Sequence, residues 1–185
     1  MKRIVAICLA ASALAACETE GMGPPGPPPP PPSTGSGYIP PPSTNGFHES
    51  DFAWSRGTGG GAINGVVTFG GPGKYSCGDV VLAPETPWSS QRTMTMYGST
   101  TEADVAVDDV RNRTPRDAAD QAQAAAYARY ARHAQCNASN HFSFAGLPNG
   151  AWYIVTVATP RAGGPKIAVM QRVATYGFAF KANLR

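Results

Sequence analysis

Residues 21–45 read GMGPPGPPPPPPSTGSGYIPPPSTN, and this run decides how much of the 185-residue chain can fold. Proline has a fixed φ and no amide donor, so proline blocks build neither a helix interior nor a central strand. They favour an extended polyproline II path of about 3.1 Å per residue. Few apolar side chains occur here, so the segment cannot offset the entropy of ordering a core. Gly35 and Gly37 place a soft joint between the two blocks. The expectation is a disordered stalk; the alternative is a ligand for a proline-recognition module. Residues 47–185 remain for a compact domain, a sensible size for one.

The chain begins with Lys2 and Arg3, an apolar run from Ile4 to Leu14, and Leu14-Ala15-Ala16-Cys17. A basic start, a short apolar stretch and small residues at its end mark a secretory signal. The run is too short to span a bilayer, which takes about 20 apolar residues, and Glu18 and Glu20 follow at once. Residues 1–18 resemble the signal peptide and lipobox of bacterial lipoproteins. The resemblance implies a signal peptide over 1–16, diacylglyceryl transfer to the Cys17 thiol and acylation of the new amino terminus. Residues 17–46 then form a lipidated terminus and stalk. Two or more acyl chains anchor stably. Glu18, where an Asp would retain a lipoprotein at the inner membrane, implies sorting to the outer membrane, with the domain in the periplasm or at the surface.

Processing alters the charge. Of 15 basic residues, Lys2 and Arg3 lie in the leader, leaving 13 against 12 acidic ones. A nearly neutral mature chain gives no reason to expect a nucleic-acid partner. Export would deliver Cys77 and Cys136 to an oxidising compartment, with Cys8 removed and Cys17 lipidated. A Cys77–Cys136 disulfide is the expected outcome. A metal site is disfavoured, because there is no CxxC and His48, His133 and His141 show no ligand spacing.

Short β-like runs fill the domain. Ala62–Phe69 is apolar and β-branched and ends in Gly70-Gly71-Pro72-Gly73. Asp79–Ala83 follows and stops at Pro84. Gln91–Tyr97 alternates Met94 and Met96 against Thr93 and Thr95, a half-buried strand pattern. Asp104–Val110 alternates Val105 and Val107 against Asp104, Ala106 and Asp108. His141–Phe144, Ala151–Thr159, Lys166–Thr175 and Phe178–Leu184 complete the set. One helix interrupts them near 115–135. Thr114 is its expected cap, Pro115 suits the first position, Asp117 lies near the positive end of the dipole, and an alanine-rich run follows. Tyr127 and Tyr130 share a side of it, for packing over a sheet or, alternatively, for a membrane or partner. The composite is a mainly β, antiparallel sandwich with one inserted helix.

The stretch from Asn140 to Val157 carries Phe142-Ser143-Phe144, Gly146-Leu147-Pro148-Asn149-Gly150 and Trp152-Tyr153-Ile154-Val155. It resembles the closing hairpin of carboxypeptidase-regulatory-like domains, the prealbumin-like β-sandwiches. Ile63–Val67 and Asp79–Leu82 resemble that family's first two strands. The resemblance implies a non-catalytic scaffold. In it Phe142 and Phe144 share one face, Pro148 presets a turn, and Trp152, Ile154 and Val157 return to the core.

Candidates for chemistry are thin. Gly57-Thr58-Gly59-Gly60-Gly61 precedes a strand rather than a helix, so it reads as a hinge and not a phosphate loop. Asp104, Asp108 and Asp109 lack calcium-loop spacing. Asn137-Ala138-Ser139 matches a glycosylation sequon without consequence in a bacterial protein. No serine sits in G-x-S-x-G. Phe47, Phe52 and Trp54 flank Glu49 and Asp51, as a strand or clasp on the domain or as an exposed binding patch. The reading is therefore a lipid-anchored envelope protein, not an enzyme, with no cofactor. It would bind an envelope protein or a cell-wall glycan; the alternatives are a purely structural role or an envelope hydrolase.

Overall fold

The computed structural model describes residues 46–71 and 73–185. Cys17, the expected signal peptide over 1–16 and the proline-rich run lie outside the described residues. The described residues form a β-sandwich of two sheets with a helical layer on one of them.

The first sheet holds β5 (His141–Leu147), β1 (Gly61–Val67) and β8 (Ala179–Leu184), in that order. The second is wider, in the order β3 (Glu102–Ala106), β7 (Ile167–Thr175), β6 (Gly150–Pro160), β2 (Tyr75–Pro84) and β4 (Arg132–Gln135). Every pairing is antiparallel except β1 with β8, which is parallel. A parallel pair needs a long crossover, and here almost the whole domain separates the two strands.

Alternation along the strands fills the space between the sheets. Ile63, Val67, Phe142, Phe144, Leu147, Ala182 and Leu184 come from one side, and Val80, Leu82, Trp152, Ile154, Val169 and Val173 from the other. Each such large side chain contributes about 1.5–3 kcal/mol when fully buried. Gly65 belongs to the same inward row. The Phe142 ring lies where a Cβ at Gly65 would project, so glycine is needed for that close approach.

The resemblance anticipates a hairpin at Phe142–Val157, and the chain does something else. β5 and β6 lie in different sheets, so Pro148-Asn149-Gly150 is an arch over the end of the sandwich. Gly146, at φ 66°, bulges β5 just before it. Phe144 and Trp152 thus approach the core from opposite sheets. Val157 faces outward and is 36% exposed, not returned to the core.

Helices cover the outer face of the wider sheet. The alternation at Gln91–Tyr97 is misleading, because these residues close α1 (Pro87–Tyr97). Thr86 and Ser89 form a reciprocal capping box, Pro87 occupies the first turn, and Gly98 ends the helix at φ 75°. The buried residues Trp88, Ser89 and Thr93 follow helical spacing, while Met94 is half exposed. Asp104–Val110 divides as well. β3 stops at Ala106 and α2 (Val107–Arg113) begins, with Asp108 and Asp109 in its first turn and Arg111 and Arg113 in its last. The single expected helix near 115–135 is therefore one of three α-helices among the described residues. Its core is α3 (Ala118–Ala128), capped by Asp117 and not by Thr114, which ends α2. It stops before Arg132 because Arg132–Gln135 pair with Asp79–Leu82 as a strand.

A second, smaller apolar cluster joins this layer to the start of the domain. Phe52, Trp88 and Tyr130 are its buried members, with Phe47 and Tyr127 against them. Phe52 is carried by a 3-10 helix (Glu49–Arg56), so the aromatic-acidic segment is a clasp and not a strand. The Arg92–Asp120 ion pair, nearly buried, and the Trp88 indole donating to Gln123 (3.0 Å) tie α1 to α3. Tyr127 packs on Phe52 from α3, whereas Tyr130, expected on the same side of that helix, lies in the turn beyond its end and reaches Phe52 from there.

Candidate functional site

Among the described residues no helix covers the outer face of the three-stranded sheet. Its side chains are read directly from register. Ser143, Asn64 and Lys181 stand in one row across β5, β1 and β8, and His141, Val66 and Asn183 in the next. Gln135 and Asn137 border the same surface. All of these except Asn183 line a shallow concavity of about 630 Å³. Its functional groups are amides, a hydroxyl, an imidazole and one ammonium, all able to donate hydrogen bonds to a polar ligand.

The margin of this surface is held rigidly. Cys77 and Cys136 form a disulfide, with Cα atoms 5.8 Å apart, as the cysteine usage predicts. The loop that follows is built by two asparagines. Asn137 Oδ1 accepts from the Ser139 amide (2.9 Å) and the His141 amide (3.0 Å), closing an Asx turn. Asn140 sits in the left-handed region at φ 61°. Its Nδ2 donates to the Tyr75 carbonyl (2.9 Å) and the Val67 carbonyl (3.3 Å), while its Oδ1 accepts from the Cys77 amide (3.3 Å). One side chain thereby links β1, β2 and the disulfide. The sequence reading passed over both residues, because it treated Asn137-Ala138-Ser139 only as a sequon.

A second polar cluster lies on the helical side. Arg172 Nε donates to Glu85 Oε2 (2.8 Å), Ser90 and Tyr153 hydroxyls are 2.9 Å apart, and both reach Glu85 Oε1 at 3.4 Å. Burial pushes the Tyr153 phenol up to about 12, against the opposing hydrogen bond from Ser90. The Glu85 hydrogen bond holds the Arg172 guanidinium more firmly protonated. A phenol raised in this way stays protonated and is a poorer proton donor, and through it and Arg172 the cluster ties α1 to β6 and β7.

A third feature is the open side between β8 and the β3–β7 pair. A cleft of about 560 Å³ runs there, bordered by Glu102, Asp104, Gln171, Lys181, Asn183 and Arg185. Finally, Tyr176 and Phe178 are exposed aromatic rings with centroids 6.4 Å apart, in the turn from β7 to β8.

The other candidates are dispersed. Asp104 lies on β3, while Asp108 and Asp109 start α2. Among the described residues no group of three or more His, Cys, Asp or Glu is placed to hold a metal. Gly57 ends the 3-10 helix, with its carbonyl and that of Ser55 accepting from Arg132 (3.0 and 3.1 Å), and the following glycines lead into β1. Gly59 and Gly61 pack so closely on Leu147 that a side chain there would meet its backbone.

No family model and no curated protein matches the chain. Among solved structures it is similar to a Pseudomonas aeruginosa protein described as "a putative carbohydrate binding protein", with a TM-score of 0.52 and 23% identity. The match covers 75% of this chain and 96% of that one. At this identity the likeness shows a shared fold.

Proposed function

We propose that this chain is a non-catalytic binding module that takes a glycan on the outer face of its three-stranded sheet. We further propose that the lipid on Cys17 holds it in the outer membrane, with the proline-rich stalk setting its reach from the bilayer. The domain is a prealbumin-like sandwich of carboxypeptidase-regulatory type in this reading.

The polar row Ser143–Asn64–Lys181 carries the proposal. Sugar hydroxyls are both donors and acceptors, and amide and hydroxyl side chains match them in pairs. Lys181 adds a charge that favours a sugar bearing a carboxylate. The description of the Pseudomonas protein agrees with this ligand class.

Calorimetric titration of the full chain with uronic-acid oligosaccharides tests it. Binding should weaken at least tenfold in Lys181→Ala and in Asn64→Ala, in line with losing a hydrogen bond to a charged or polar ligand group. Equal affinity of both variants and the parent, or no binding by any of them, would leave the structural envelope role as the better account.

A further inference from the structure

The cleft beside β8 has the attributes of a strand-docking groove. Among the described residues β8 pairs with β1 alone. The carbonyls of Phe178 and Leu184 accept from Ala62 and Thr68 of the β1 side. Backbone groups alternate along a strand, so the N–H and C=O of Ala179, Lys181 and Asn183 point the other way, toward the cleft.

The floor of the cleft is the strand β3. The wider sheet extends past β8 on this side, so the inward face of β3 is not roofed. Glu102 and Asp104 stand on that face, opposite Gln171 and Val169. Neither carboxylate has an ion-pair or side-chain hydrogen-bond partner among the described residues. Gln171 adds a buried side-chain oxygen that meets no donor among them. An unpaired buried acceptor is unfavourable until a donor reaches it. Edge strand, unroofed floor, two free carboxylates and an unmet acceptor all border one space, with Lys181 and Arg185 on its β8 side and the carboxylates on its β3 floor.

We propose that this groove binds an extended, basic peptide segment of a partner protein, added to β8 as a fourth strand of the narrow sheet. Its main chain pairs with Lys181 and Asn183, and its alternate lysine or arginine side chains reach down to Glu102 and Asp104. A second copy of this chain fits poorly. Lys181 would meet its own equivalent across such an edge, a like charge of the kind that discourages edge-to-edge pairing. This site adjoins the glycan surface and shares Lys181 and Asn183 with it, the peptide taking their main chain where a sugar would meet their side chains.

The test uses the full chain and three acetylated, amidated heptapeptides: alternating Thr-Lys, alternating Thr-Glu, and the Thr-Lys peptide N-methylated at every second residue. The Thr-Lys peptide should shift and protect from exchange the amides of Lys181 and Asn183. The Thr-Glu and N-methylated peptides should bind at least tenfold more weakly. The double variant Glu102→Gln, Asp104→Asn, at exposed positions, should weaken the Thr-Lys peptide by a similar factor and leave oligosaccharide binding unchanged. Unaltered Lys181 and Asn183 amides at millimolar peptide would overturn the proposal. So would equal binding of the N-methylated peptide, or concentration-dependent protection of these amides without peptide, the sign of self-association.

Discussion

Gly65 and Asn140 show how single residues fix this surface. Gly65 has no side chain because the Phe142 ring fills that space, and Phe142 lies one strand away in the inward row. Gly65→Ala should lower unfolding free energy by about 1–3 kcal/mol, the usual range for overpacking a core. Denaturant melts of the two proteins check this; an unchanged midpoint would mean that Phe142 repacks freely. The apolar rows themselves were legible, since Ile63, Phe142, Phe144, Trp152 and Ile154 are buried where alternation placed them. Asn140 was not. Its left-handed backbone and three hydrogen bonds are partnerships with β1 and β2, which local sequence does not encode.

At the scale of elements, competing periodicities decided what could be read. Gln91–Tyr97 fits period two over a few residues, but Thr86-Pro87 and Gly98 are start and stop signals, and Trp88, Ser89 and Thr93 bury one helical face. The β5–β6 segment has turn chemistry that suits a hairpin as well as an arch, and only sheet membership separates them. The Cys77–Cys136 link needed no such context. Replacing both cysteines by alanine should destabilise the domain by about 2–4 kcal/mol, because the bridge closes a loop of 59 residues. Chemical denaturation of the oxidised parent and the double variant measures it. The helical layer makes an alkaline prediction. Burial raises the phenols of Tyr127 and Tyr153 above their ordinary value of 10. The folded state therefore holds protons that the unfolded chain releases, so their contribution is full below pH 10 and is lost as pH rises toward 12 and beyond. Stability should fall over that window, and less steeply in Tyr127→Phe. Melts across pH 8–12 would refute this if parent and variant declined in parallel.

At the scale of the molecule, the described residues pair a wide sheet covered by helices with a narrow sheet whose outer face they leave uncovered. The armoured side is fixed by the aromatic clasp, the Arg92–Asp120 pair and the Glu85–Arg172 cluster. The other side holds Asn64, Ser143 and Lys181 in one row across three strands, the row on which the proposed glycan site rests. Charge balance and motif spacing in the sequence pointed away from nucleic acid and from a phosphate loop, yet the rows of Asn64 and Lys181 became visible only with strand order. The most direct measurement is a heteronuclear NMR titration of the full chain with a uronic-acid oligosaccharide. The account predicts saturable shifts concentrated at Asn64, His141, Ser143 and Lys181, with Tyr153 and Arg172 unmoved. Shifts confined to the helical face, or none at saturating sugar, would contradict it.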